Sequence, residues 1–285
     1  MKAKFYINRV GTILLLSVAV LMLTNVGSCS SRDMENLMKF DMESISTNRM
    51  DAKSEALIKQ YDFLGQEHNR VLKEVFAELD SRGYDNIAKI RSNKSKAEAI
   101  VMESAERLLH SYQYILEENG ASSLAAEKTI LQAIEKIRDN QFFFKSLNDD
   151  IGYTFSPNQK EVLTLMDNIL YKKPNPREVF NEMDGIAIKV ARSFPEQELQ
   201  VMLGMASVAK YSYQFWYDYF DMESQIQTRG WDWEHILGLA IADVMGAVVA
   251  IAEFWWMSVV CPVVFYGIVI CSSAFHSAMS FLGYM

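Results

Sequence analysis

Cysteine is scarce in this chain, three residues among 285, which rules out a small scaffold stapled by disulfides. Histidine is nearly as rare, with four, and the two together leave little room for a metal centre. There is no G-x-S-x-G elbow, no phosphate-cradling glycine loop, no dinucleotide fingerprint and no zinc spacing. Lysine and arginine stop at Arg229. No run of alternating apolar and polar residues suggests a strand. These gaps leave no recognisable reaction centre, and the expectation is a chain that is not an enzyme and holds no metal or cofactor. Half the residues are hydrophobic, so disorder is excluded, and the length allows one large core or two smaller ones.

The first 28 residues read as an export signal. Lys2, Lys4 and Arg9 precede an uncharged run from Val10 to Cys29, a basic start, an apolar stretch and a small-residue cleavage site. That segment holds three of the 28 basic residues and none of the 36 acidic ones, so its removal takes the net charge from −8 to −11. An exported chain so acidic is not a nucleic-acid binder. The cleavage site itself, Val26-Gly27-Ser28-Cys29, resembles the lipobox of bacterial lipoproteins. The resemblance implies that Cys29 is acylated and becomes the mature N-terminus, with more than one acyl chain anchoring it in lipid. Val26 and Ser28 would also suit an ordinary signal peptidase and plain secretion.

The periodicity that follows is helical. Leu57, Tyr61, Leu64, Val71, Val75 and Leu79 recur at steps of three, four or seven and predict a helix near 52–81, ended by Arg82-Gly83. Ser95-x-x-Glu98 has the form of a capping box and opens a second helix with the stripe Val101, Ala105, Leu108, Tyr112 and Ile115, closed by Gly120. A third is expected from Ser122 to about Leu147 with Ile130, Ile134 and Ile137 inward. Ser156-Pro157-Asn158-Gln159, Asn175-Pro176-Arg177-Glu178 and Ser193-Phe194-Pro195-Glu196 each join a capping side chain to a proline near the first helical position. They predict helices near 157–172, 176–192 and 195–222. The fold class is all-α, a bundle of antiparallel helices, organised as signal peptide 1–28, amphipathic helical domain 29–229 and apolar helical hairpin 230–285. Lys210, within the aromatic-rich third of these helices, reads as a side chain snorkelling along a helix edge, with a buried functional amine as the alternative.

From Ile236 to Met285 only Asp243 and Glu253 carry formal charge. Phe254 to Phe275 is uncharged for 22 residues, enough to cross a hydrocarbon core of about 30 Å. Phe254, Trp255, Trp256, Phe281 and Tyr284 stand where interfacial aromatics would, and Pro262 could set the turn of a hairpin. Gly238, Ala242, Gly246 and Ala250 put a small residue at every fourth position, a pattern that lets helices approach closely in membranes or in a soluble core. Asp243 is a candidate buried acid, costly at the centre of a membrane span. Glu103, Glu106 and His110 share a helix face, but the paired Glu-x-x-His motifs of a di-metal bundle are missing. Asp232, Glu234 and His235 read as the polar start of the last helical region. Cys261 and Cys271 would lie about 15 Å apart on one helix, beyond disulfide reach.

The segments Ala206-Ser207-Val208-Ala209-Lys210-Tyr211-Ser212 and Ala242-Asp243-Val244-Met245-Gly246-Ala247 resemble exported proteins of Bacteroidota, of uncharacterised activity, that end in an Ala/Gly-rich, zipper-like segment. The resemblance implies a cell-envelope location, at the periplasmic face or outer membrane of a Gram-negative bacterium. The expected role is a non-enzymatic, lipid-anchored envelope protein. Its hairpin would pack on membrane or on helices of a protein partner or second copy. The alternatives are a pore-forming or antibacterial effector and a soluble exported bundle with the hairpin as its core.

Overall fold

A computed structural model describes residues 52–139, 155–172, 175–220, 233–254 and 257–284, all within one compact unit, Met50–Met285. The signal segment, Cys29, Trp255, Trp256, Asp232 and the stretch to Leu147 expected to extend the third helix lie outside the described residues. Helices α1 (Ala52–Ser81), α2 (Ile87–Ser92), α3 (Lys94–Glu118), α4 (Ser123–Asp139), α5 (Pro157–Tyr171), α6 (Pro176–Ser193) and α7 (Glu196–Tyr219) precede the apolar pair. That pair is α8 (Trp233–Phe254) and α10 (Pro262–Tyr284), joined through the single turn α9 (Met257–Val260). Among the described residues there is no strand, so the all-α expectation stands.

The caps follow local chemistry, with two corrections. Ser156 accepts from the Gln159 amide while the Gln159 side chain accepts from the Ser156 N–H, a complete capping box. Asn175 accepts from the Glu178 amide in the same manner. Gly83 and Gly120 hold positive φ angles of 88° and 93°, backbone that side-chain-bearing residues rarely adopt. Ser95, by contrast, does not open α3. The helix starts one residue earlier behind Asn93, which makes no side-chain cap bond. Ser193 likewise ends α6, and Pro195 stands at the head of α7 without a side-chain cap.

α8 and α10 form the centre of the bundle. In α10, Tyr266 meets Tyr61 and Phe281 meets Phe76, so α1 runs parallel to it. Gly65 and Phe76 of α1 meet Ser207 and Phe215 of α7, so α7 is parallel to α1. α3 runs antiparallel to α10: Lys94 reaches the Gly283 carbonyl, Ala105 faces Cys271, and the Tyr112 ring covers Gly267. α8 and α10 are antiparallel, as a hairpin requires, with Ser273 on the Asp243 carbonyl and Ser272 on that of Gly246.

Both apolar helices are long and apolar enough to cross a membrane, yet 89% of one window and 83% of the other are buried inside the chain. Phe281 is not at an interface but in the core, stacked on Trp216 at 5.6 Å, and Phe254 is also buried. The uncharged run spends its first residues on the turn, so Pro262 starts α10. The buried stripe of α3 includes Leu109 and Leu116 in place of the expected Leu108 and Ile115. Val101 and Ala105 are buried as expected, and Tyr112 covers Gly267 of α10, so the difference is confined to which neighbour faces inward in the second half of the helix.

Candidate functional site: a buried polar cluster around Asp243

Asp243 sits near the middle of α8 with no solvent exposure. The charge of such a group has to be met by other groups, because bare burial costs several kcal/mol or more. Three elements supply them. From α1, His68 Nε2 stands 2.7 Å from Asp243 Oδ1. From α7, the Ser212 hydroxyl and the Trp216 indole N–H both donate to Oδ2, the latter at 3.0 Å. From α10, Ser273 donates to the Asp243 main-chain carbonyl at 2.6 Å, and Ser277 lies 3.0 Å from Trp216 Nε1. On the far side of the His68 ring, Nδ1 faces Asn69 Oδ1 at 2.9 Å, and Asn69 is oriented by its amide donating to the Tyr211 carbonyl. Both ring nitrogens therefore face oxygen, and a ring carrying both protons donates to each.

Histidine, serine and aspartate meet here, but in an order that does not suit acyl transfer. A nucleophilic triad places the imidazole between hydroxyl and carboxylate, where it takes the hydroxyl proton. Here the carboxylate lies between them and accepts from both. His68, Ser212, Asp243 and Trp216 are all fully buried, so no substrate reaches Ser212. What the arrangement does chemically is satisfy the hydrogen-bonding groups of Asp243 and fix the relative positions of α1, α7, α8 and α10.

One of the small residues of α8, Gly246, lies at this contact. Gly238, Ala242, Gly246 and Ala250 are buried. A methyl group on Gly246 would come within 2.9 Å of the Ser272 carbonyl oxygen and of His276 Nδ1, so α10 approaches there to a distance only glycine permits. The facing edge of α10 carries Ser272, Ser273, His276, Ser277 and Ser280, all buried.

A second polar cluster corrects the expectation for Lys210. This lysine does not snorkel to solvent. Its side chain is 4% exposed, with Nζ 2.7 Å from Asp62 and 2.5 Å from Asp184, beside the rings of Phe180 and Tyr211. Burial works against the ammonium, but the hydrogen bonds and charges of Asp184 and Asp62 outweigh it and hold its pKa above the ordinary lysine value. Both carboxylates are partly exposed, so the cluster is a buried cation with a wet rim. The amine is held by carboxylates on both sides and offers no free nucleophile.

The other candidates are dispersed. Glu103 pairs with Arg82 at 2.6 Å and Glu106 with Arg138 at 2.5 Å, while His110 is exposed. Among the described residues no three His, Cys, Asp or Glu side chains are grouped to hold a metal. Glu253 lies apart from Asp243, paired with Lys136. Glu234 is exposed in the first turn of α8. Cys261 and Cys271 are free and buried, and burial pushes the Cys271 thiol up to about 12.

Sequence reading singled out Asp243 but none of its partners. A signal was present in His68, which falls in register between Leu64 and Val71 on the apolar stripe of α1. A histidine on a core face needs partners. Compared with protein-family models, with curated proteins and with solved structures, the chain matches none.

Proposed function

We propose that this chain is a non-enzymatic envelope protein, tethered to lipid through Cys29, whose apolar hairpin serves as the core of a helical bundle rather than as a membrane span. The observation that carries the reading is the enclosure of Asp243. Its carboxylate is met by α1 and α7, so moving the hairpin into lipid strips a carboxylate, an imidazole and an indole of their partners together. The close approach of α10 at Gly246, with Ser272 and Ser273 bonded to α8 carbonyls, supports packing of the hairpin on itself within one chain. The lipobox supports tethering, and the resemblance to exported proteins of Bacteroidota supports the envelope.

Fractionation of cells expressing the wild-type chain beside Cys29→Ala tests the proposal. Wild type is expected in the membrane pellet and Cys29→Ala in the soluble fraction. A Cys29→Ala protein that stays with the membranes and resists high-salt washing would make the hairpin the anchor and overturn the reading. A truncation ending at Arg229 is expected to lose its helical fold, since the hairpin is its core; a folded, soluble truncation would count equally against it.

One observation favours a second reading, a pore-forming effector. Two segments of membrane-spanning length lie hidden within amphipathic helices, the outline of soluble pore formers. Release of a trapped dye from vesicles between about pH 4 and 8, where carboxylates and histidines titrate, would replace the first reading with this one.

A further inference from the structure

The apolar residues left on the surface are distributed unevenly along the bundle. Val260 and Val263, 68% and 59% exposed, flank Pro262 at the tip of the hairpin. Leu124, in the first turn of α4, is 77% exposed and Tyr114, in the last turns of α3, 65%. Tyr112 covers Gly267, five residues into α10. The end of α3 and the start of α4 therefore lie level with the hairpin tip. Of the remaining exposed large hydrophobics, Leu131 lies two turns further along α4, and Tyr171 and Tyr219, like Tyr114, are aromatic rather than aliphatic. Tyr219 sits at the opposite end, against Phe76 and Phe281. The aliphatic surface is concentrated on one end.

That end is also where the chain enters the bundle. Tyr61 of α1 meets Tyr266 of α10, and the two helices are parallel. Ala52 stands nine residues before Tyr61 and Pro262 four before Tyr266, about 14 Å and 6 Å along the axes. α1 then carries the chain about 45 Å away from this end over its 30 residues. Residues 30–51 join Cys29 to that entry point.

We infer that the hairpin tip, Val260 and Val263 with Leu124 and Tyr114 beside them, is a lipid-docking surface that rests in the interface of the bilayer holding the acylated Cys29. This rests on the tethering reading above. The occupant is a lipid surface because the chain from Cys29 joins the bundle at the same end, while the other end of α1 lies about 45 Å further on. The charge nearby is not that of an anionic-headgroup site: Glu253 is paired with Lys136, and Glu118, Glu127 and Lys128 are exposed. Contact is therefore apolar and indifferent to headgroup charge. Acyl chains supply the anchoring, and the tip sets which way the bundle stands.

The test places an environment-sensitive fluorophore on full-length mature protein through Val263→Cys and, for the far end, through Asp80→Cys, an exposed position near the end of α1. Native Cys261 and Cys271 are buried, Cys29 is replaced by serine where the chain is not acylated, and Val260→Cys serves if Val263→Cys folds poorly. Each protein is mixed with phosphatidylcholine vesicles bearing nitroxide quenchers on the lipid chains. The tip label is expected to be quenched several-fold more than the label at residue 80, with no change on adding phosphatidylglycerol or salt. Equal quenching at both positions overturns the inference, as does quenching that needs anionic lipid and vanishes in salt. A tip label shielded only at high protein concentration, and never quenched by lipid, would assign the surface to a second copy. Acylation is read separately from the mass of the mature chain, and the vesicle measurement is run on that chain whether or not it is acylated. Failure of the tether and failure of the tip are thereby distinguished.

Discussion

Asp243 of α8 and His68 of α1 face each other across 2.7 Å, 175 residues apart in the chain and both fully buried. Removing one partner of a buried hydrogen-bonded pair leaves the other unsatisfied, at a cost of about 1–3 kcal/mol for each stranded group. Asp243→Ala strands His68 Nε2 and the Ser212 hydroxyl and leaves the Trp216 N–H to Ser277 alone, and a loss of about 2–4 kcal/mol is expected. The double replacement Asp243→Leu with His68→Leu should be less destabilised than the two single changes summed. Urea unfolding followed by circular dichroism gives all three values, and additivity within about 0.5 kcal/mol would show that the two side chains are not coupled.

Two glycines give opposite outcomes with alanine. At Gly246 the added methyl meets a main-chain oxygen of α10 at 2.9 Å, which cannot move without shifting the helix. Gly246→Ala is expected to lose about 1–3 kcal/mol. At Gly204 the nearest atom is the flexible Leu64 Cδ1 at 3.4 Å, and the helix gains roughly 0.5–1 kcal/mol from the better residue. Gly204→Ala should therefore be neutral or stabilising. Thermal unfolding of both variants checks the contrast, and a stabilised Gly246→Ala would contradict the close approach of α8 and α10.

Lys210→Met removes a cation from between Asp62 and Asp184. Breaking a fully buried pair costs about 3–5 kcal/mol, but both acids are partly wet, so about 1–2 kcal/mol is expected after screening. The pH dependence has a definite sign. A lysine whose pKa is raised by folding lends stability that is fully present below its unfolded-state value, about 10.4, and is lost as pH climbs through the folded-state value. The gap between wild type and Lys210→Met should stay constant from neutral pH to about 10 and narrow above it. A gap that widens in alkali would be the wrong sign.

The Cys271 thiol, pushed up to about 12 by burial, is expected to resist maleimide in the native protein at pH 8 and to react once the chain is unfolded. Peptide mass mapping after a timed pulse separates the two states. Native labelling as fast as that of an exposed cysteine would place Cys271 near solvent.

The helices were legible in the sequence because apolar period and capping chemistry are local. Ser156, Asn175, Gly83 and Gly120 act within four residues of themselves, and each does in the structure what its spacing implies. The facing of a helix is not local: in α3 Leu109 and Leu116 are buried where Leu108 and Ile115 are only half-buried, a choice made by the helices packed against it. The polar cluster was half legible. Asp243 stands out in a greasy segment, but its partners come from α1, α7 and α10, and nothing in the spacing of His68, Ser212 and Ser273 ties them together. Lys210 was misread for the same reason, since Asp62 and Asp184 reach it from two other helices.

For a chain exported as proposed above, the hydroxyl edge of α10 and the carboxylate of α8 also bear on its passage across the membrane. A largely apolar segment of 21 or 22 residues arriving in a secretion channel is a candidate for sideways escape into lipid, which would halt translocation. Asp243 lies at the middle of the first segment, and Ser272, Ser273, His276, Ser277 and Ser280 stud the second. Each makes the lipid phase a poorer solvent for the unfolded chain. The polar groups that lock the folded interior would thus keep the nascent polypeptide moving through the pore.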